Sequence, residues 1–288
     1  MNRLQLNGLV LSIWAGALVC AIASGQAIVP IEQDRSISTG GFVEACGFAR
    51  MLDSFTRAED FGLFDEKLFR IITCDNAEAS ALAIQQSETG AQSLSVSGLV
   101  ASRSNAEVAG MILATAGSTF DVVFELTDRS RFRLEGNLSG DTPASESSSW
   151  GASVILSANP GPEPHEIIRR EVQGNGLQPP KSIDIAERGV LEPGTYRLQV
   201  FADVIVDDPH DPVARVNSAF AIAFNLAPAC PADLDGDDSV GLSDLGILLS
   251  NFGTPEGALP EDGDLDRDGD VDLSDLSRML AFFGEQCS

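Results

Sequence analysis

From about residue 77 to residue 226 the chain reads as short alternating or apolar runs separated by turn residues, the period of two that half-buried strands require. The windows are 77–85, 92–101, 107–115, 119–126, 131–137, 152–157, 165–172, 181–185, 195–206 and 216–225. Many short strands at this spacing predict an antiparallel β-sandwich or jelly roll. Pro193-Gly194 ahead of Thr195-Tyr196-Arg197-Leu198-Gln199-Val200 is a turn feeding an alternating strand, whereas 145–149 and 159–164 read as exposed loops. Over 40–73 the period is less regular: Phe42, Phe48, Met51, Leu52 and Phe55 could line a helix, but Gly62 and scattered charges interrupt it. The expected organisation is therefore an unassigned segment at 24–76 packing on the sandwich, the sandwich at 77–227, and a small α-helical domain at 228–288 after Ala227-Pro228-Ala229.

The first residues have the form of a secretory signal at 1–23: Arg3, an apolar run from Leu9 to Val19, then Ala21-Ile22-Ala23 as a small-x-small cleavage site. No later run reaches the roughly 20 apolar residues of a membrane helix, so the expectation is a secreted chain with no membrane span. Cleavage leaves Cys46, Cys74, Cys230 and Cys287, an even set in an oxidising compartment. Order along the chain favours Cys46 with Cys74 and Cys230 with Cys287; four free thiols are the alternative. The net charge is −25, and from Cys230 onward fifteen acidic residues face two arginines, a net of −13. An acidic balance argues against nucleic acid, which needs a basic face.

The acidity has a pattern. Asp233-Leu-Asp235-Gly-Asp237-Asp238-Ser239-Val240-Gly241-Leu242-Ser243-Asp244 is repeated 31 residues later as Asp264-Leu-Asp266-Arg-Asp268-Gly269-Asp270-Val271-Asp272-Leu273-Ser274-Asp275. Carboxylates at loop positions 1, 3, 5 and 12 surround one point with hard oxygens, as Ca²⁺ requires, and Gly at position 6 permits the sharp turn. The same shift superposes Leu245 on Leu276, Leu248 on Met279, Leu249 on Leu280, Phe252 on Phe283 and Gly253 on Gly284. Leu245, Leu248, Leu249 and Phe252 fall at i, i+3, i+4 and i+7, so each loop is followed by a helix ended by Gly. Proline-containing segments leave no room for a helix entering either loop.

A loop with an exit helix only, given twice and with Asp rather than Glu as last ligand, resembles the type I dockerin family over Cys230 to Ser288, about a fifth of the chain. The resemblance implies two Ca²⁺ ions, antiparallel helices, and docking onto a cohesin domain. It implies ligands Asp233, Asp235, Asp237 and Asp244 in loop one and Asp264, Asp266, Asp268 and Asp275 in loop two, with the backbone carbonyls of Ser239 and Asp270 at position 7. Loop one departs from the pattern. Asp238 stands where Gly is preferred, at about 1 kcal/mol in the left-handed region, and position 9 is Gly241, against Asp272 in loop two. Loop two is expected to bind calcium more tightly. The partner-contact positions 10 and 11 are Leu242-Ser243 and Leu273-Ser274, the same in both copies, which fits docking in two orientations; the competing reading makes the leucines core and the serines helix N-caps.

For the larger domain, the obvious catalytic signatures are missing: there is no Gly-x-Ser-x-Gly, Gly-rich phosphate loop, His-Glu-x-x-His or Cys-x-x-Cys. Its histidines, His165 and His210, fall at a strand edge and in an acidic loop. Sugar rings are recognised on exposed aromatics, and after the leader the chain has Trp150 and Tyr196 alone of their kinds, with Trp150 the better candidate for exposure. The expectation is a secreted, non-catalytic calcium-binding protein whose dockerin-like module attaches or assembles a β-sandwich. The alternatives are a polysaccharide-degrading or carbohydrate-binding protein tethered by that module, and a module that docks within its own chain and only stabilises it.

Overall fold

A computed structural model describes residues 28–44, 50–74, 77–106, 111–142, 148–161, 164–176, 178–207, 213–228, 230, 232–266 and 268–287. The expected leader, Cys46 and His210 lie outside the described residues. Among the described residues, twelve strands come first: β1 (Val29–Glu44), β2 (Arg50–Arg57), β3 (Phe64–Cys74), β4 (Ala77–Thr89), β5 (Ser93–Ala106), β6 (Met111–Leu126), β7 (Ser130–Asp141), β8 (Ser149–Ala158), β9 (His165–Asn175), β10 (Lys181–Leu191), β11 (Gly194–Asp207) and β12 (Val213–Pro228). Two helices follow, α1 (Leu242–Asn251) and α2 (Leu273–Phe282), with a 3₁₀ turn at Pro260–Asp262 between them.

The strands form two six-stranded antiparallel sheets, ordered β2-β1-β6-β11-β8-β9 and β10-β7-β12-β5-β4-β3. Period-two side chains place one face of each sheet in a common core, so the protein is mainly β and sandwich-like. On β11, Tyr196, Leu198, Val200, Ala202, Val204 and Val206 point inward and are buried. An aromatic chain bridges the sheets at one end: Phe124 of β6 meets Tyr196 of β11 at 5.9 Å and Phe224 of β12 at 5.6 Å, and Phe224 meets Phe132 of β7 at 5.9 Å. The Tyr196 hydroxyl donates to the Glu192 carbonyl at 2.7 Å, so its one polar atom is satisfied.

Several expectations are corrected. The segment before residue 77 is part of the sheets: β1 pairs with β6 along most of its length, and β3 pairs with β4. Among the described residues, no helix forms there. Met51 and Phe55, placed on a helix face by the sequence, stand exposed on the edge strand β2. The described part of window 107–115, from Met111 on, and window 119–126 are one strand, because Gly117-Ser118 runs straight through, with Gly117 facing Ser38 on one side and Asp203 on the other.

Arg35 explains why β1 is hard to read. Its side chain is fully buried, and the guanidinium donates to Gln33 Oε1 at 2.7 Å, to the Gly62 carbonyl at 2.7 Å and to the Asp60 carbonyl. A buried charge stands only where its donors are met, and here Gln33 of β1 and the turn between β2 and β3 meet them.

Trp150 is likewise buried, at 3% exposure. Its indole lies against Gly140 of β7 and Gly174 of β9, where an added Cβ would come within 2.2 Å of Cε3 and 2.5 Å of Nε1 respectively. The expectation of an exposed Trp150 is wrong: two glycines on the facing and neighbouring strands clear a core slot for it.

Candidate metal centre

Residues 230–287 close on a small core of their own. Ala232, Val240, Leu248, Ala258, Leu265, Val271 and Met279 are buried together, flanked by Leu234, Leu245, Leu276 and Phe282. The two halves exchange backbone pairs. Val240 of the first loop donates to the Glu285 carbonyl and accepts from Gly284, beyond α2; Val271 of the second donates to the Thr254 carbonyl and accepts from Gly253, beyond α1. Each loop is thus held by the chain that leaves the other helix. Cys230 and Cys287 form a disulfide with Cα atoms 5.7 Å apart, joining the two ends of this unit. Cys74 is disulfide-bonded as well, so the free-thiol alternative fails for three of the four cysteines.

The loops repeat one hydrogen-bond scheme. Asp244 Oδ1 accepts from the amides of Leu234 (2.7 Å) and Asp235 (3.1 Å), and Oδ2 from Gly241 (2.7 Å). Asp275 does the same with Leu265 (2.7 Å), Asp266 (3.1 Å) and Asp272 (2.8 Å). Position 12 therefore folds the start of each loop back onto the first turn of its helix. Asp233 accepts from Gly236 and Asp238, and Asp264 from Gly269. The turn needs a left-handed residue at position 6 in both copies: Asp238 has φ 73° and Gly269 φ 93°.

This geometry gathers carboxylates. One oxygen from each of Asp233, Asp235 and Asp244 lies within 4.8 Å of the others, as does one from each of Asp264, Asp266 and Asp275; Asp270, Asp272 and Asp275 make a further group. Position 5 is not drawn into these groups. Asp237 Oδ1 accepts from the Ser239 amide and hydroxyl, and Asp268 Oδ1 from the Asp270 amide. Ser239 pairs with Gln286 in an isolated bridge. The sequence assigned Asp270 by its carbonyl, whereas the structure brings its side chain into a cluster.

The donor set fits a hard cation. Every gathered atom is a carboxylate oxygen. Asp266 Oδ1 and Asp270 Oδ1 are buried without a hydrogen-bond partner, acceptors that a cation could meet. Burial first, then neighbouring carboxylates, push both groups above the usual carboxylate pKa: Asp268 and Asp275 act on Asp266, and Asp268, Asp272 and Asp275 on Asp270. In loop one, burial raises Asp233 and the Gly236 amide and Arg131 oppose it.

The halves differ at the helix starts. Asp272 accepts from the Ser274 amide at 2.6 Å as N-cap of α2, while Gly241 occupies that place before α1 and has no side chain to offer. The serines are not N-caps, and the leucines are not core: Leu242 is 78% exposed and Leu273 70%. Leu249 and Phe252, expected on the buried stripe, are exposed too, as are Leu280 and Phe283. Each helix with the residue that caps its end presents the same three apolar side chains to the outside.

Outside this unit, His165 is exposed at the start of β9. A polar groove of about 430 Å³ crosses the outer face of β8, β9 and β11, floored by Gly151 and bordered by Ser153, Glu171, Gln173, Asp203 and Lys181. Among the described residues, no helix is long and apolar enough to cross a membrane.

No protein-family model matches the chain, and no curated protein matches it. Similar solved structures include that of infectious bursal disease virus Gx strain, at 11% identity over 71% of this chain and 66% of that one with a TM-score of 0.19. The Gt strain structure is 10% identical over 71% and 68%, with a TM-score of 0.17. Overlap this slight carries no inference about fold or function.

Proposed function

We propose that residues 230–287 are a dockerin-like module that binds two Ca²⁺ ions, and that the protein is a secreted, non-catalytic one in which this module attaches or assembles the β-sandwich outside the cell. The observation that carries the reading is the duplicated loop, in which position 12 braces the backbone through three amides while positions 1, 3 and 12 converge. Calcium would cross-link carboxylates that otherwise repel one another. Asp233, Asp235 and Asp244 would hold one ion and Asp264, Asp266 and Asp275 the other, with Asp237, Asp268 and the position-7 carbonyls of Ser239 and Asp270 closing in.

The attachment reading is supported by the twice-presented apolar triplet, Leu242, Leu249 and Phe252 with Leu273, Leu280 and Phe283. Secretion is supported by the disulfides, which persist in oxidising compartments. The carbohydrate alternative loses its aromatic anchors, since Trp150 and Tyr196 are both buried. What remains for it is the polar groove beside Asp203, whose lining suits hydroxyl groups.

Binding to a panel of immobilised cohesin domains, measured with calcium and with chelator, tests the proposal. Calcium-dependent binding is expected that survives Leu242→Asp or Leu273→Asp alone and disappears in the double variant. Equal binding in chelator, or full binding by the double variant, would contradict it.

A further inference from the structure

The outer face of the second sheet carries a cluster of arginines where β7 and β10 run side by side. Arg133 of β7 stands directly opposite Arg188 of β10, and Arg131 lies two residues earlier on the same face of β7. Like charges placed opposite each other destabilise a strand pair unless something negative meets them. Here the module does. The Asp238 carboxylate of loop one receives both Arg131 Nη1 and Arg133 Nη2, and Arg131 Nη2 donates to the Cys287 carbonyl at 2.8 Å. The Arg131 side chain is only 9% exposed, and its Nη1 is 3.7 Å from Asp233 Oδ2, the carboxylate at loop position 1. One guanidinium therefore touches loop one and the disulfide-closed end of the module together.

Asp238 is the residue that departs from the repeat. It takes up the left-handed conformation with φ 73°, which glycine adopts without strain. Loop two has Gly269 there, with no side chain for any strand to hold. The departure that weakens loop one as a turn is the same one that gives the sandwich a carboxylate to grip. The unit is strongly acidic, a net −13 from Cys230 onward, so charge complementarity favours this arginine face as its seat.

We propose that the arginine patch of β7 and β10 is a receptor for the module's own first loop, and that Arg131 serves there as a built-in counter-cation to Asp233 that lowers the calcium affinity of loop one. The first half stands on the contacts alone, while the second rests on the calcium reading above. A fixed positive charge beside a position-1 ligand repels an incoming divalent ion and occupies part of the carboxylate it would use. By reciprocity, calcium in loop one weakens the seat on the sandwich. Arg133 meets Asp238 and not Asp233 in these contacts, so its influence on the ion is smaller.

The test uses the full mature chain. Titration of calcium into the Asp264→Ala protein isolates loop one; adding Arg131→Gln should tighten that site by about fivefold or more, the usual range of a coupling between sites, and Arg133→Gln should do less. Unchanged or weaker affinity on Arg131→Gln would overturn the counter-cation role. X-ray scattering in chelator tests the seat without calcium: Arg131→Gln/Arg133→Gln and, from the other side, Asp238→Asn should each lengthen the maximum dimension as the module swings free. Unaltered scattering from both would overturn the receptor. Absence of calcium heat at either loop in the wild-type chain would instead overturn the calcium reading and the counter-cation with it, leaving the receptor to be judged by scattering.

Discussion

Trp150 is where the structure departs most usefully from an expected role, and its slot makes a quantitative prediction. A Cβ on Gly140 would lie 2.2 Å from Cε3 and 2.4 Å from Cδ2 of the indole, far inside the roughly 3.5–4.0 Å of an optimal carbon contact. The ring is core and cannot swing out, so Gly140→Ala should cost about 1–3 kcal/mol as overpacking. Trp150→Ala, which empties the slot, should cost about 3–5 kcal/mol. At about 2–4 °C per kcal/mol for a domain of this size, the second loss lowers the midpoint by at least about 6 °C. The informative quantity is the pair. With the indole gone the alanine methyl has room, so the double variant should be no less stable than Trp150→Ala alone, a coupling of about 1 kcal/mol or more. Urea unfolding followed by circular dichroism measures all four proteins. Trp150 is the one tryptophan beyond the expected leader, so protein expressed without residues 1–23 should also give the blue-shifted emission of a buried indole. Additive losses, or solvent-exposed emission quenched by an added oligosaccharide, would refute the core assignment.

Three further outcomes are expected. Asp275→Asn replaces an acceptor of three amides with a group that has only one oxygen, leaving at least one of these amides unmet; the module should lose about 1–3 kcal/mol in chelator, read as an earlier local transition in hydrogen exchange over α2. Replacing Cys230 and Cys287 together by Ser opens a cross-link spanning 57 residues and should cost the module about 2–4 kcal/mol, seen as susceptibility to protease confined to the C-terminal unit. Arg35→Ala removes charged donors from the Asp60 and Gly62 carbonyls, each worth about 1.5–3 kcal/mol; urea unfolding should shift accordingly and the turn between β2 and β3 should become a cleavage site.

The central strands were legible because their inward positions are apolar at period two. β11 reads Tyr196, Leu198, Val200, Ala202, Val204, Val206 in the sequence and buries those residues in the fold. β1 was not legible, since Arg35, Ser36 and Ile37 are buried in succession and the first is charged; the Gln33 side chain together with the carbonyls of a turn some 25 residues away makes that possible. β3 was obscured differently: as an edge strand it hides just Phe64, Ile72 and Cys74, and leaves Phe69 and Ile71 outside. In the loops, spacing named positions 1, 3 and 12, which the fold gathers in both copies because position 12 bonds back to positions 2 and 3, but it also named position 5, which stays outside the groups, and it assigned Asp270 by its carbonyl and not its side chain. It could not reveal the grip of Arg131 and Arg133 on Asp238, since no periodicity links residues more than a hundred positions apart. The single signal was Asp238 standing in place of glycine.

Isothermal titration of calcium into the protein and its Asp264→Ala variant tests the account most directly. Two ions per chain are predicted, bound with unequal affinity, and the variant should lose the stronger site while keeping the weaker one at loop one. No calcium heat, or a variant that retains the stronger site, would contradict it.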